Sequence, residues 1–186
     1  RGEEAQVMGW ISVHPAHKTG VHVLCLPGTH SKWVAVEEGS ISRVSTALTG
    51  ELYELLASHS VLVTAAQTWN ETEFIAGVTY ARQQRGLLNQ LFTTRARVVA
   101  GSKDPAHAAS FLSGLLLGTE LLENTALASS IESKTDLNAA VHSDPLTIHI
   151  IGSDELTQRY ALAAEELEIS HQCWSGSDMV AQGLSQ

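Results

Sequence analysis

Apolar residues recur along this chain with two periods, that of a β-strand and that of an α-helix, and the changes between them predict its secondary structure. The stretch Val21–Leu26 is almost continuously apolar, Lys32–Glu37 alternates between apolar and polar residues, and a third extended segment ends near Thr46. Short turns separate the three segments, the first of them at residues 27–31. This spacing predicts three antiparallel strands joined by tight turns, followed by a helix for which Thr49 is the candidate N-cap.

Helical periodicity marks most of the remaining chain, and two further strand-like runs lie near its end. The predicted elements are a short helix over Glu3–Trp10, a helical stretch over Thr68–Phe92 that breaks near Gly86, a helix over Ala106–Leu127, a strand over Leu146–Ile151, a helix over Asp154–Leu167, a strand over Ile169–Trp174 and a partial helix over Met179–Leu184. Three antiparallel strands followed by helices and two further strands is the order of a ribonuclease-H-like α/β domain with a mixed sheet. We expect one domain over residues 1–186.

Two glycines lie inside the predicted helix Ala106–Leu127. Gly114 and Gly118 are four residues apart, and a glycine inside a helix lowers its stability by about 1 kcal/mol relative to alanine. We therefore predict that another element packs closely against them. The apolar face from Gly114 to Leu122 could also serve as the contact of a homodimer.

Composition and charge exclude several classes of partner. With 186 residues, 44% of them hydrophobic and 17% charged, the chain can form one globular domain. A net charge of -9 without a basic stripe argues against nucleic acid or an anionic membrane as a partner. No membrane span or leader sequence is predicted. Cys25 and Cys173 lack CxxC spacing and are predicted to be buried thiols, which favours a reducing, cytoplasmic location.

The turn between the first two predicted strands has a possible chemical use. Because Gly28 has no Cβ, the backbone can come close to a ligand there, and the successive N–H groups of residues 28–31 can point at one anion. The hydroxyls of Thr29 and Ser31 would reinforce that contact. Glycine and threonine also suit a plain hairpin, so the turn alone leaves both interpretations open.

A second turn, at Gly152 and Ser153, ends a predicted strand just before a helix. Gly152 would allow a planar ring or a phosphate to lie on the backbone, and the positive end of the helix dipole would favour a phosphate. A plain connection between a strand and a helix has the same pattern. The pairing of this turn with the one at Gly28 is more informative than either turn alone.

Nine histidines raise the question of a metal site. His14 and His17 are three residues apart, but Pro15 between them breaks a helix, and no cysteine or carboxylate joins them at ligand spacing. We therefore predict no metal site. The sequence signatures of P-loop, Rossmann, hydrolase-elbow and zincin proteins are also absent, so any nucleotide would have to be held by paired turns.

Several segments together resemble one enzyme family. GTHSKW, which begins at Gly28, and TGELYELLASHSVL, which begins at Thr49, are similar to the 2-dehydro-3-deoxygalactonokinase family of the acetate kinase, hexokinase, Hsp70 and actin superfamily. The likeness extends from the first residues, RGEE, through FLSGLLLGTELL (Phe111–Leu122) to IIGSDELTQRY (Ile150–Tyr160). It implies a two-domain ATP-dependent kinase, with this chain as its C-terminal, nucleotide-binding part and the N-terminal domain absent from it.

The resemblance also implies roles for particular residues. ATP, with Mg²⁺ to mask its charge, would transfer its γ-phosphoryl group to the 6-hydroxyl of 2-dehydro-3-deoxy-D-galactonate. The implied phosphate ligands are Gly28, Thr29, His30 and Ser31, the adenosine ligands are Gly152 and Ser153, the candidate bases are Glu3 and Glu4, and the candidate ligand of the sugar-acid carboxylate is Arg1. Both glutamates could instead be helix-capping acids, and Lys32 could be either a snorkelling side chain or a phosphate ligand.

Two other functions stay open at this stage. A non-catalytic domain of the same superfamily could sense a sugar or a nucleotide, although such regulators usually carry a basic DNA-binding segment. A hydrolase could act on an activated acid with His30 and Ser31. We also expect that these 186 residues fold but do not catalyse alone, because half of the cleft would be missing.

Overall fold

The structure, a computed structural model, describes residues 2–83, 86–135 and 146–185, and residues 127–135 in their backbone only. The helices are α1 (Glu3–Val13), α2 (Thr49–His59), α3 (Glu71–Ala81), α4 (Leu87–Val99), α5 (Ala108–Thr135), α6 (Asp154–Glu166) and α7 (Gly176–Leu184); the strands are β1 (Val21–Leu26), β2 (Ser31–Glu37), β3 (Ser40–Ala47), β4 (Ile148–Gly152) and β5 (His171–Ser175). Short 3₁₀ turns cover Pro15–Lys18 and Pro105–His107.

The five strands form one mixed sheet in the order β3-β2-β1-β4-β5. The first three strands pair antiparallel, as the alternation of their residues predicts. Strand β1 then pairs parallel with β4, and β4 pairs parallel with β5. This topology confirms the predicted ribonuclease-H-like order. It also places the carboxyl ends of the parallel strands β1, β4 and β5 on the same side of the molecule, where these strands end.

Helices cover both faces of the sheet, and the alternation of side chains along β1 shows how. Leu24 and Leu26 are buried against Trp10 of α1 and Met179 of α7. The neighbouring positions, such as Cys25, are buried on the opposite face. That second cluster draws its other members from three helices, and they are Phe74 and Val78 of α3, Leu117 and Leu121 of α5, and Tyr160, Ala163 and Ala164 of α6.

The glycines of α5 lie at a close helix crossing, as predicted. A Cβ atom built on Gly114 would lie 1.9 Å from the backbone oxygen of Phe74 in α3, and one on Gly118 would lie 3.0 Å from Cβ of Ala81. Across the same crossing, Gly77 of α3 could not carry a side chain either, because its Cβ would lie 2.1 Å from the oxygen of Phe111. The face that could have served a homodimer therefore lies inside the domain.

The break predicted near Gly86 is confirmed, because α3 ends at Ala81 and Gly86, with a φ of +81°, is the N-cap of α4. Other local predictions need correction. Thr49 does not cap α2: Leu48 is at the N-cap position, and no side chain caps that end. Cys25 is buried as predicted, but Cys173 is exposed on the edge strand β5. Both are free thiols. Among the described residues, no helix is both long and apolar enough to cross a membrane.

Candidate functional site: a cleft at the β1–β2 turn

The two turns predicted to act together are neighbours in the fold. They follow β1 and β4, two parallel strands whose paired residues include Cys25 and Ile150. A Cβ atom built on Gly152 would lie 3.5 Å from Cδ of Pro27, so the strand ends are in van der Waals contact range. Crevices outside the carboxyl ends of parallel strands are the usual ligand sites of α/β sheets. The topology therefore explains why two turns far apart in sequence meet.

A cleft of about 370 Å³ opens on one side of the first turn. Its walls are formed by Gly2, Glu3, Gln6, Leu26, Pro27, Gly28, Thr29, His30, Lys32 and Val180. Small-molecule sites usually occupy about 300 to 1,000 Å³, so this cleft is large enough for a phosphorylated metabolite. The start of α1, the turn after β1 and one residue of α7 thus build a single site.

The backbone of the turn presents N–H groups that are available to a ligand. None of the N–H groups of Gly28, Thr29 and His30 donates a hydrogen bond to another described residue. A Cβ atom built on Gly28 would meet only the oxygen of His30, at 3.9 Å, so the space beside this residue is open. Unpaired successive N–H groups next to an open cleft are the arrangement that binds an anion.

The first turn of helix α2 holds the turn after β1 in place. The Glu51 N–H donates to the carbonyl of Thr29 at 2.9 Å. Gly50 permits this approach, because its Cβ would lie only 2.5 Å from the oxygen of Gly28. The His30 ring also donates to the Glu51 carboxylate, and both side chains are about half exposed, at 49% and 48%. The turn is therefore braced while its N–H groups stay available.

The predicted carboxylates separate at the start of α1. Glu3 is half-buried and lines the cleft, whereas Glu4 is exposed and does not line it. A hydrogen bond from its own backbone N–H is the largest of the effects that hold the pKa of Glu3 below its usual value, so this group is ionised at neutral pH. Arg1, the candidate ligand of the substrate carboxylate, lies outside the described residues.

Lys32 brings a positive charge to the same cleft. Its ammonium group donates to the carbonyl of His30 at 2.9 Å, which holds it beside the turn. The side chain is partly buried, and it contributes to lowering the pKa of Glu3 through charge attraction, as the smallest of several causes.

The side chain of Ser31 faces away from the cleft. Ser31 is fully buried and belongs to β2, and its hydroxyl lies 2.8 Å from the hydroxyl of Tyr160. Ser31 is therefore not among the residues that line the cleft. This burial also removes the basis for a hydrolase that would use His30 with Ser31, because a substrate cannot reach that hydroxyl.

A buried polar network lies behind the turn and centres on Glu120 of α5. Tyr160 donates to one of its oxygens at 3.0 Å, and the Trp33 indole N–H donates to the other at 2.8 Å. Burial raises the pKa of Glu120, and hydrogen bonds, the largest from Thr49, oppose that rise. The Thr49 hydroxyl therefore serves this network, which explains why it does not cap α2.

Glu120 is not among the site residues predicted from the sequence. A signal for it exists, because it is the only charged residue within the mostly apolar stretch Phe111–Leu122. A carboxylate at a core position of a helix needs donors from other elements. Those donors could not be named before the packing of α5 against β2 and α6 was known.

A small apolar hollow of about 70 Å³ lies beyond the turn. It is lined by Gly28, Thr49, Gly50, Tyr53, Ser113, Leu116, Leu117, Leu156, Arg159 and Tyr160. Gly28 thus lines both this hollow and the cleft. Gly152 and Ser153 line neither, but they precede α6, which supplies Leu156 and Arg159.

Four histidines gather elsewhere, around Trp10. The Trp10 ring stacks on His17 at 3.7 Å between ring centres, and it lies 5.1 Å from His22 and 4.5 Å from His149. His14 lies 5.6 Å from His17. Within the described part of the chain, no group of three or more His, Cys, Asp or Glu side chains is placed to hold a metal ion. The histidines therefore pack as an aromatic cluster.

Comparison with known proteins points to one family. The sequence profile described as 2-keto-3-deoxy-galactonokinase matches residues 1–186. The chain is 31% identical over 191 residues to a candidate 2-dehydro-3-deoxygalactonokinase from Rhizobium meliloti strain 1021, and the match covers 100% of this chain and 57% of that protein. It is 32% identical over 169 residues to 2-dehydro-3-deoxygalactonokinase from Escherichia coli strain K12, with 90% and 51% covered.

A solved structure agrees with these matches. The crystal structure of a candidate 2-dehydro-3-deoxygalactonokinase from Sinorhizobium meliloti superposes with a TM-score of 0.79 and 30% sequence identity. The similarity covers 100% of this chain and 58% of that one. The chain thus spans about half the length of the curated relatives it matches.

Proposed function

The chain belongs to the 2-keto-3-deoxy-galactonokinase family, and from that premise we propose that it is the nucleotide-binding half of an ATP-dependent sugar-acid kinase. The observation that carries the proposal is the turn at Gly28–His30, whose three N–H groups face an open cleft and have no partner among the residues that the structure describes. Helix α2 already braces the turn, so the turn does not have to form when the nucleotide binds.

The phosphates of ATP would lie on the turn. A triphosphate needs hydrogen-bond donors that converge on its oxygens, and the N–H groups of the turn supply them. The cleft is wide enough to hold the terminal phosphate and the reacting end of a sugar acid. The acceptor would be 2-dehydro-3-deoxy-D-galactonate, the substrate that the names of the relatives indicate.

The adenosine would lie on the other side of the same turn. Gly28 is shared by the cleft and the apolar hollow, so a nucleotide that crosses the turn passes from one to the other. At about 70 Å³ the hollow would take an edge of the base and no more. The rest of the nucleoside would lie against the backbone at Gly152 and Ser153, where β4 ends and α6 begins.

Glu3 is the residue we assign to the acceptor hydroxyl. Of the carboxylates in the described part of the chain, it alone lines the cleft, and it is ionised at neutral pH. In the reaction the hydroxyl oxygen would bond to the γ-phosphorus, the bond from that phosphorus to the bridging oxygen would break, ADP would leave with the electron pair, and Glu3 would accept the hydroxyl proton. Glu4 faces solvent and has no such role.

Mg²⁺ would enter together with ATP. Mg²⁺ in kinase sites is commonly held by phosphate oxygens, water and one or two carboxylates. Because Glu3 is engaged with the acceptor, phosphate oxygens and water would supply most of the ligands. The metal would neutralise charge that develops on the phosphates, and the residues of this chain would orient the reactants.

A kinase assay tests the proposal. The full-length protein is mixed with ATP, Mg²⁺ and 2-dehydro-3-deoxygalactonate, and ADP formation is followed with a coupled assay, with gluconate-derived 2-dehydro-3-deoxy acid as the comparison acceptor. We expect turnover that depends on the acceptor. ADP formation at the same rate without any acceptor would contradict the proposal.

The isolated 186-residue chain provides the second measurement. We expect it to bind ATP in calorimetry but to show no turnover, since the remaining half of the cleft would come from the rest of the protein. Turnover at the rate of the full-length protein would show that this half is complete by itself. Absence of nucleotide binding to the full-length protein would remove the nucleotide-binding assignment.

A further inference from the structure

We propose that Lys32 is a catalytic residue whose ammonium group contacts the phosphoryl group during its transfer. The inference rests on the proposed kinase function. It adds a cationic residue to a site for which the turn and Glu3 supply only N–H donors and a carboxylate. Four observations lead to it: the side on which Lys32 lies, the way its head group is held, the charges around it and the lack of another lysine or arginine among the described lining residues.

Strand alternation places Lys32 on the cleft side of the sheet. In β2 the side chains of Ser31 and Trp33 point to the network at Glu120, and those of Val34 and Val36 belong to the cluster under α1. Lys32 shares the latter side, as the period of two requires. Its side chain therefore emerges at the mouth of the cleft, where α1 begins.

The head group is held where a transferred phosphate would pass. One of its three N–H donors is used by the carbonyl of His30 at 2.9 Å. The other two remain for a ligand in the same cleft. Because the stem is partly buried and the head is tied to the turn, Lys32 is not a solvated surface lysine.

The charges that ATP would bring to the cleft favour a cation at this place. Glu3 contributes a negative charge, and the phosphates of ATP would add more beside it. The other basic group in the wall, His30, is already paired with Glu51. Among the described residues that line the cleft, Lys32 is the only lysine or arginine. Its ammonium is tied to the turn that would hold ATP and shares the cleft with the start of α1, so it can offset charge on the group in transit.

A purely structural role makes a different prediction. If Lys32 served only to hold the His30 carbonyl, a neutral donor of similar reach would replace it. Lys32→Gln keeps an N–H donor but removes the charge, whereas Lys32→Arg keeps the charge and changes its shape. Lys18→Gln, at an exposed lysine away from the cleft, is the matched control for the loss of one positive charge.

The test compares these variants in the full-length protein. We expect Lys32→Gln to lower kcat by roughly 100-fold or more, as the loss of one donor to a developing charge typically does. The KM for ATP should change much less, and the thermal unfolding midpoint should stay within about 2 °C of the parent value. Lys32→Arg should retain clearly more activity than Lys32→Gln, and Lys18→Gln should match the parent.

Chemical rescue is a measurement that separates the two roles, because an added amine would not raise the rate if Lys32 had only a structural role. A Lys32→Ala variant is assayed with added methylammonium, which can occupy the vacated position. We expect the rate to rise with amine concentration, and no such rise in Lys18→Ala. Parent-like kcat in Lys32→Gln, or equal losses in the Gln and Arg variants without rescue, would overturn the role of Lys32. An inactive parent protein would instead overturn the kinase proposal itself.

Discussion

The two sides of the turn Gly28–Ser31 differ in how their polar groups are satisfied. On the cleft side, Lys32 and the turn N–H groups have donors left over, and the surroundings are half exposed. On the inner side, Trp33 and Glu120 are buried, and each finds a partner. Lys32 and Trp33, consecutive residues of β2, thus have different roles: the first keeps donors for a ligand, and the second helps to hold the turn in place. Unsatisfied groups are tolerated where a ligand can satisfy them, and satisfied groups hold the turn in place behind them.

Removal of the carboxylate on the inner side should have the largest effect on stability. Glu120→Ala leaves the buried donors of Trp33 and Tyr160 without an acceptor, and each such loss costs about 1 to 3 kcal/mol. We expect the free energy of unfolding to fall by roughly 3 kcal/mol, measured by urea denaturation. Nucleotide affinity should fall as well, since the turn loses its support.

Glu120→Gln is the matched variant, because it keeps the volume and one acceptor. Its loss of stability should be less than half that of the alanine variant. A Glu120→Ala protein as stable as the parent would show that the inner network does not hold the turn. The contrast between the two sides would then have no structural meaning.

As the pH falls, the packing on the α1 side of the sheet should lose stability at a higher pH than the packing on the α5 side. Burial and the neighbouring histidines lower the pKa of His149 to about 4, and burial also lowers the pKa of His17. The unfolded chain takes up these protons near pH 6.5 and the folded one does not, so stability should fall as the pH drops from 6.5 towards 4. We expect a loss of about 2 kcal/mol.

Denaturation curves at several pH values provide the measurement. Burial raises the pKa of Glu120, which gives the opposite sign: its unfavourable contribution grows as the pH rises above 4.5. His149→Gln should therefore reduce the loss of stability between pH 6.5 and 4 (the acidic limb of the stability curve), and Glu120→Gln should not. If the acidic limb keeps its slope in His149→Gln, the histidine cluster is not its source.

A methyl group on the cleft side should have the smallest effect on the fold and a clear effect on binding. A Cβ on Gly28 meets nothing closer than 3.9 Å, so Gly28→Ala should unfold at the parental temperature. The methyl group would lie where the phosphates approach. We expect the dissociation constant for ATP to rise about tenfold, or ~1.4 kcal/mol, by calorimetry.

Gly50→Ala reverses that pattern and so provides the control. Its Cβ would lie 2.5 Å from the oxygen of Gly28 and 2.8 Å from Cα of Thr29, and backbone atoms cannot move aside cheaply. We expect it to lower the unfolding midpoint before any ligand is added. Unchanged ATP binding in a stable Gly28→Ala protein would mean that the nucleotide does not contact the turn.

Most of the fold could be predicted from the sequence because its periods are unambiguous. The alternation of β2 and the apolar run of β1 fixed three strands, and the interior glycines of α5 predicted a close crossing. The direction of Ser31 could not be predicted in the same way. The predicted strand began at Lys32, whereas β2 begins at Ser31. Once Ser31 is part of the strand, its side chain must share the inner side with Trp33.

The candidate site shows the same limit. The turn and Glu3 could be proposed from residue type and position in the chain. Glu120, Tyr160 and Thr49 are far apart in sequence, and only the packing of α5 and α6 against β2 brings them together. The exposure of Cys173 has a similar origin, because β5 turns out to be the edge of the sheet. Contacts between distant elements are what local patterns do not encode.

The bond from the Glu51 N–H to the Thr29 carbonyl has a thermodynamic consequence for any ligand of this turn. Since Gly50 and α2 immobilise the loop before a ligand arrives, little conformational entropy remains to be lost on binding. Recognition of a polyanion here should accordingly be fast and limited by diffusion and dehydration, with no slow isomerisation of the loop.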